Sequence, residues 1–215
     1  SLTFSGAHPT AKYGQGSFYF DGSDSLTVSD SDDFNFGTED FTVELWFNSS
    51  RNTNSGGQTL IGQGQAGGGS NSSFLIWKNG DGSKIGFYVG SNWAYYIETT
   101  TNASTTNEWV HLAAVRSGDT LTLYMNGQSA GTTSLSTNYA MNNSAHNLSM
   151  GNFPGATPSY FQGYMSDIRI SKGVARYTAA FNNDLPTAPL ETEDSRTKLL
   201  LNTNSALQDF EIGRM

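Results

Sequence analysis

The chain reads as an all-β protein, a sandwich of two antiparallel sheets. Three observations lead there. Eleven short apolar or alternating segments run along its 215 residues, each punctuated by Gly, Asn, Asp or Ser and none carrying an interior proline. No segment sustains a 3.6-residue periodicity, which excludes an α/β fold. The composition is 36% hydrophobic and only 14% charged, with 24 glycines, so its polarity comes from Ser, Thr, Asn and Gly, as in many short strands joined by polar turns. The length fits one such domain and is enough to bury a full core.

The predicted strands follow in order. Residues 17–20 and 25–28 are the first two. Residues 41–48, FTVELWFN, place Phe41, Val43, Leu45 and Phe47 on one face and Trp46 on the other, between Glu44 and Asn48. One face fills the gap between sheets, and the aromatic opposite meets a loop, a ligand or solvent. Residues 58–62 lead into the glycine-rich run 63–73, expected as a mobile loop beside the binding face. A phosphate-cradling loop would need Lys and a following helix, and here a strand follows. Residues 73–78, 84–89 and 94–99 are three aromatic-bearing strands. Residues 109–116 and 120–126 are separated by Ser117-Gly118-Asp119. The second of them runs into Asn126-Gly127, whose residues tolerate the positive φ of a type I′ turn. Residues 146–150 and 161–170 complete the set. Helix is expected only as a turn or two near 173–177, and the core includes Val43, Leu45, Leu121, Leu123 and Ile168.

A net charge of −8 argues against nucleic acid, whose binding depends on Lys and Arg neutralising phosphates, and against anionic membranes. No apolar run approaches the ~20 residues of a spanning helix, so no membrane insertion is expected. Ser1 opens no leader pattern, as in a chain that starts mid-protein.

Five motifs carry a resemblance. They are GQGSFYFDGSDSLTV at 14–28, DFTVELWF at 40–47, WVHLAAV with LTLYMNG at 109–127, FQGYMSDIRIS at 161–171, and KGVARY at 172–177 with Phe181 and Pro186 downstream. In that order they resemble the laminin-G-like jelly rolls of the concanavalin A-like lectin and glucanase superfamily. The KGVARY tail is similar to copies in phage tail and other virion proteins. The resemblance implies a jelly-roll domain over 1–189 and a non-catalytic binding role. It also implies cell-surface carbohydrate as partner, beside other virion or surface subunits, in a virion or extracellular setting. The alternative is a purely structural virion module that packs against protein and binds no glycan. The absence of cysteine, where secreted animal relatives carry a disulfide, favours a microbial or viral source. Residues 190–215 form a linker plus the KLLLN strand at 198–202. That strand either completes this sheet or begins a second copy, and the tandem habit of such virion proteins favours the copy.

The chemistry-bearing residues are few. A glucanase strand would array three carboxylates on one face, whereas Asp40 and Glu44 stand with Thr42 between them and no third. Of three histidines, His111 reads as structural. Calcium is the expected cofactor, since the resemblance implies an ion joining the opening and closing strands. Asp167 would supply the closing-strand oxygen and Asp21 and Asp24 the opening ones, while an ion pair of Asp167 with Arg169 is the other reading. Asp30, Asp32 and Asp33 lack the glycine of an EF-hand loop. For ligand binding, sugar C–H faces stack on exposed rings while amides take the hydroxyls. The expected residues are Asn92, Trp93, Tyr95, Asn152 and Tyr160, with Trp77 a further possibility and Tyr96 and Phe153 alongside.

Overall fold

The computed structural model describes residues 3–5, 12–13, 16–52, 56–65, 69–99, 106–155, 159–192 and 194–202. Residues 66–68 of the glycine-rich run and 203–215 of the C-terminal segment lie outside them. Among the described residues there are fourteen strands: β1 (Thr3–Ser5), β2 (Ser17–Asp21), β3 (Leu26–Val28), β4 (Phe41–Ser49), β5 (Gln58–Gln63), β6 (Phe74–Lys78), β7 (Ile85–Val89), β8 (Tyr95–Glu98), β9 (Trp109–Ser117), β10 (Thr120–Met125), β11 (Gln128–Ser134), β12 (Leu148–Met150), β13 (Gln162–Lys172) and β14 (Thr197–Leu201). They form two antiparallel sheets. One runs β1-β2-β13-β4-β9-β10-β11 with β14 also on β13, and the other runs β3-β12-β5-β6-β7-β8. This is the jelly-roll sandwich that the sequence predicts.

Period-two alternation builds the core between the sheets. From β4 it takes Phe41, Val43, Leu45 and Phe47. Leu121 and Leu123 of β10 and Ile168 and Ile170 of β13 join them, all eight fully buried. The facing sheet contributes Phe74, Ile76, Phe87 and Val89. The β10–β11 hairpin turns at Asn126 and Gly127, whose φ values of 47° and 74° are those the dipeptide is suited to.

Two features depart from the sequence reading, and a third takes one of the two courses it left open. Strand β11, QSAGTTS, carries no apolar alternation because it is a sheet edge with exposed side chains on either face. Among the described residues 3-10 turns stand at Asp32–Phe34 and Ser91–Trp93, and 173–177 is not helical. The KLLLN strand lies on β13, pairing Ile168 with Leu201 and Ile170 with Leu199, so within this chain it extends the domain's own sheet past residue 189.

The outer face of the larger sheet is covered. Tyr177 and Phe181 stack at 3.7 Å and pack on Ala113, Val115 and Tyr124. Trp46, 3% exposed, lies beneath Lys12 and Tyr13 and against His111, which settles what its side of β4 meets. The outer face of the smaller sheet carries exposed and half-exposed rings.

Candidate functional site

Pairing across β5, β6, β7 and β8 sets out two rows on that outer face. One reads Gly62, Leu75, Tyr88, Tyr96 and the next Thr59, Trp77, Gly86, Glu98. Side chains of one parity share a face, so the large groups of both rows project away from the core. Glycines decide how they lie. A Cβ on Gly57 would fall 2.7 Å from Trp77 Cε3, and one on Gly86 would fall 2.5 Å from Trp77 Nε1 and closer still to Tyr88 Cε2. The indole, rooted on β6, therefore lies down over both neighbouring strands. Tyr88 shares the hollow over Gly86, and Phe153 fills the one over Gly62.

The result is a floor of rings. Trp77 and Tyr88 have centroids 6.1 Å apart with planes 30° apart, and Tyr88 and Tyr96 are 5.9 Å and 19° apart. Tyr96 is 59% exposed, the large apolar side chain most open to solvent among the described residues. Trp93 rises at the side, tilted 59° to Tyr88 and set against Phe153 at 6.1 Å.

A polar chain runs beside the floor. The Tyr88 hydroxyl donates to Glu98 Oε1, and Lys84 Nζ lies 3.1 Å from Glu98 Oε2. Burial, with the bond to Glu98, pushes the Tyr88 phenol above its ordinary range. The hydroxyl of Tyr88 and the ammonium of Lys84 hold the Glu98 carboxyl below its own.

The expected ligand residues divide. Trp93 stands beside the ring floor, against Tyr88, and the 92–93 and 152–153 segments meet through Trp93 and Phe153. Asn92 is exposed beside Trp93, and both have left-handed φ, 52° and 55°. Asn152 is half-buried, its Oδ1 accepting from Ser159 Oγ at 3.3 Å. Tyr95 points the other way. It packs edge-on against Tyr139 at 4.8 Å, and its hydroxyl accepts the Ser136 N–H. Strand alternation puts the neighbouring Tyr96 on the floor in its place. Tyr160 is half-buried, and its carbonyl receives the Arg51 guanidinium at 3.1 Å. Tyr88 and Glu98 are the floor residues the sequence reading did not name, while Trp77 and Tyr96 stood only beside the expected set. The signal for them was their common parity on adjacent strands.

The carboxylate strand has a different use. Glu44 is fully buried on the outer side of β4, not solvated. Arg169 contacts its Oε1 at 2.7 Å, the Tyr177 hydroxyl donates to Oε2 at 2.8 Å, and His111 Nε2 lies 3.4 Å from Oε2. Burial opposes its ionisation, but His111, Arg169 and Tyr177 together hold its carboxyl below the ordinary value. Asp40 accepts the Gly118 N–H.

The three acids assigned to calcium do not meet. Asp21 pairs with Gln162 on β13 and receives the N–H and hydroxyl of Ser23, while its own N–H donates to Asp24. Asp167 lies five residues further along β13, about 17 Å at ~3.3 Å per residue. Its oxygens accept from Leu190 N–H at 2.7 Å and Ser166 Oγ at 2.6 Å, with a further bond from Asn202. Its partners are thus the returning C-terminal segment, while Arg169 serves Glu44. A single ion bridging opening and closing strands through these side chains does not fit. Among the described residues no three acidic or histidine side chains gather as a metal set, and no helix is long and apolar enough to cross a membrane.

Solved structures share this architecture. A candidate carbohydrate binding protein from Bacteroides ovatus superposes with a TM-score of 0.63 at 19% identity, over 86% of this chain and 50% of that one. Domain 4 of an extracellular arabinanase from Geobacillus stearothermophilus, in complex with arabinotriose, gives 0.58 at 14%, over 81% and 77%. The binding domain of botulinum neurotoxin DC, in complex with SialylT, gives 0.61 at 16%, over 85% and 44%. The chain thus spans half or less of the Bacteroides and neurotoxin chains, and at these identities the likeness is one of fold. No curated protein sequence matches the chain significantly. Residues 15–176 match the laminin-G-type profile of the concanavalin A-like lectin/glucanases superfamily, and the chain belongs to that superfamily.

Proposed function

We propose that the chain is a non-catalytic carbohydrate-binding module of a phage, virion or other surface protein, and that it binds glycan on the outer face of the smaller sheet. The observation that carries the site is the floor of Trp77, Tyr88 and Tyr96, the first two laid over glycines and half-buried, the third open to solvent. Flat rings offer stacking area to sugar C–H faces, and the flanking hydroxyls, amides and Glu98 can meet sugar hydroxyls. Trp93 adds support, since a bulky residue at positive φ stores backbone strain of the kind that clusters at binding sites. The fold-mates that carry sugar ligands raise the prior for this class without assigning a ligand. The non-catalytic reading rests on Glu44, whose oxygens are engaged by Arg169, Tyr177 and His111. The virion setting rests on the KGVARY tail, and a parent gene among carbohydrate-degrading enzymes would remove that part.

A shallow site of this kind binds in the millimolar to micromolar range, about 4–8 kcal/mol, so adhesion requires several copies. The test is a glycan array probed with a multivalent form. Binding should be lost in the Trp93→Ala, Tyr96→Ala double variant. Silence across bacterial surface polysaccharides, or binding indifferent to both substitutions, would leave protein packing as the module's role.

A further inference from the structure

The floor and its polar edge also specify what kind of glycan fits, an inference that rests on the carbohydrate-binding reading above. The ring centroids of Trp77, Tyr88 and Tyr96 step across β6, β7 and β8 at 6.1 and 5.9 Å, and successive planes differ by only 30° and 19°. A ligand that uses all three rings must run across the strands and present flat apolar faces at successive units in nearly one plane. Chains of pyranoses joined through equatorial 1,4 bonds do this, because they extend as ribbons. Axially linked chains curl, and they lift off such a floor after one contact.

Charge narrows the class. Glu98 lies on the same face as Tyr96, two residues along β8, and its carboxylate is held by the Tyr88 hydroxyl and by Lys84. The Lys84 and Glu98 side chains are 46% and 30% exposed, so an arriving ligand meets both. An acidic sugar that pairs with Lys84 must share the ammonium with Glu98, which brings two carboxylates together beside a half-buried ring. Neutral hydroxyls meet no such penalty. The whole chain, at −8, adds to the repulsion.

We propose that the floor selects an uncharged, extended, equatorially linked glycan, and that Glu98 is the specificity-determining residue that turns acidic chains away. The probes are hydroxyethyl cellulose and carboxymethyl cellulose, one backbone without and with carboxylates, and soluble starch as an axially linked control. Immobilised protein at low salt should bind the neutral cellulose about tenfold more tightly than the acidic one, a gap that narrows as salt screens it. Glu98→Gln should erase most of the gap by strengthening the acidic ligand. Lys84→Gln should widen it, and opposite movements in two variants cannot come from loosened folding. Equal affinity for both celluloses, a starch preference, or a Glu98→Gln variant with an unchanged ratio would overturn the inference. If neither cellulose binds while the array shows other glycans bound, the ligand class is wrong and the carbohydrate reading stands. Silence on both removes the two together.

Discussion

Gly86→Ala separates the role of the floor from the stability of the sheet that bears it. The added Cβ would stand 2.5 Å from Trp77 Nε1 and nearer still to Tyr88 Cε2, against an ordinary contact of ~3.5–4.0 Å. Each ring must therefore rise by about 1 Å or more. Both are half-exposed and can rise toward solvent, so the strain stays below the ~1–3 kcal/mol typical of an overfilled core. Gly86 has no positive φ, and alanine there recovers ~0.5–1 kcal/mol of the entropy that glycine loses in a strand. The two effects nearly cancel, leaving a Tm change within about 2–4 °C for a domain of this size. Binding has no such compensation. Two tilted rings forfeit two stacking contacts at ~0.5–1.5 kcal/mol each, or about 5- to 150-fold in affinity. The assays are a thermal melt, a titration with an array-identified glycan, and tryptophan emission, which should shift to the red as Trp77 lifts into water. A folded variant with unchanged emission and affinity would refute the glycine-supported floor. A collapsed melt would show that Gly86 serves the fold first.

Other expectations follow from the buried polar groups. Glu44→Gln should cost about 3–5 kcal/mol, because it leaves the Arg169 guanidinium, 2% exposed, without its charged partner. A smaller loss would mean that the guanidinium finds another. Since the folded-state pKa of Glu44 is depressed, its contribution is present above its unfolded value near 4.5 and is lost as pH falls through the folded value. Wild-type melting temperature should therefore drop below about that pH, more steeply than in Glu44→Gln. Asp167 has the opposite sign, because burial raises its pKa above 3.8: its contribution is complete below that value and declines as pH rises through the folded one. Asp167→Ala should destabilise by about 1–3 kcal/mol through the orphaned Leu190 N–H, to the same extent in EDTA and in calcium. An effect that appears only with calcium would make Asp167 a ligand after all.

What the sequence shows and hides has a common cause in parity and its interruptions. Where one face is wholly apolar, as with Phe41, Val43, Leu45 and Phe47, alternation alone places the core, and Asn126-Gly127 specifies its turn by local sterics. A strand that buries neither face, such as β11, leaves no such trace. The choice between Tyr95 and Tyr96 hangs on one residue of register in a four-residue strand, since a shift by one exchanges the two faces. Asp167 shows how an unseen bulge misleads. Met165, Ile168 and Ile170 all reach the core, so parity changes between Met165 and Ile168, where Asp167 takes a φ of 52° and the pairing with β4 shifts. Uninterrupted alternation would put Asp167 and Arg169 side by side. The bulge sends the acid to Leu190 and the guanidinium to Glu44. The floor was hidden for a related reason. Glycine in a strand reads as weakness or a break, and its use at Gly57, Gly62 and Gly86 becomes visible only when the cross-strand partner is a ring that needs the missing Cβ. The rings could be counted from the sequence, but bringing them together on one face, in two adjacent rows, required the register of four strands.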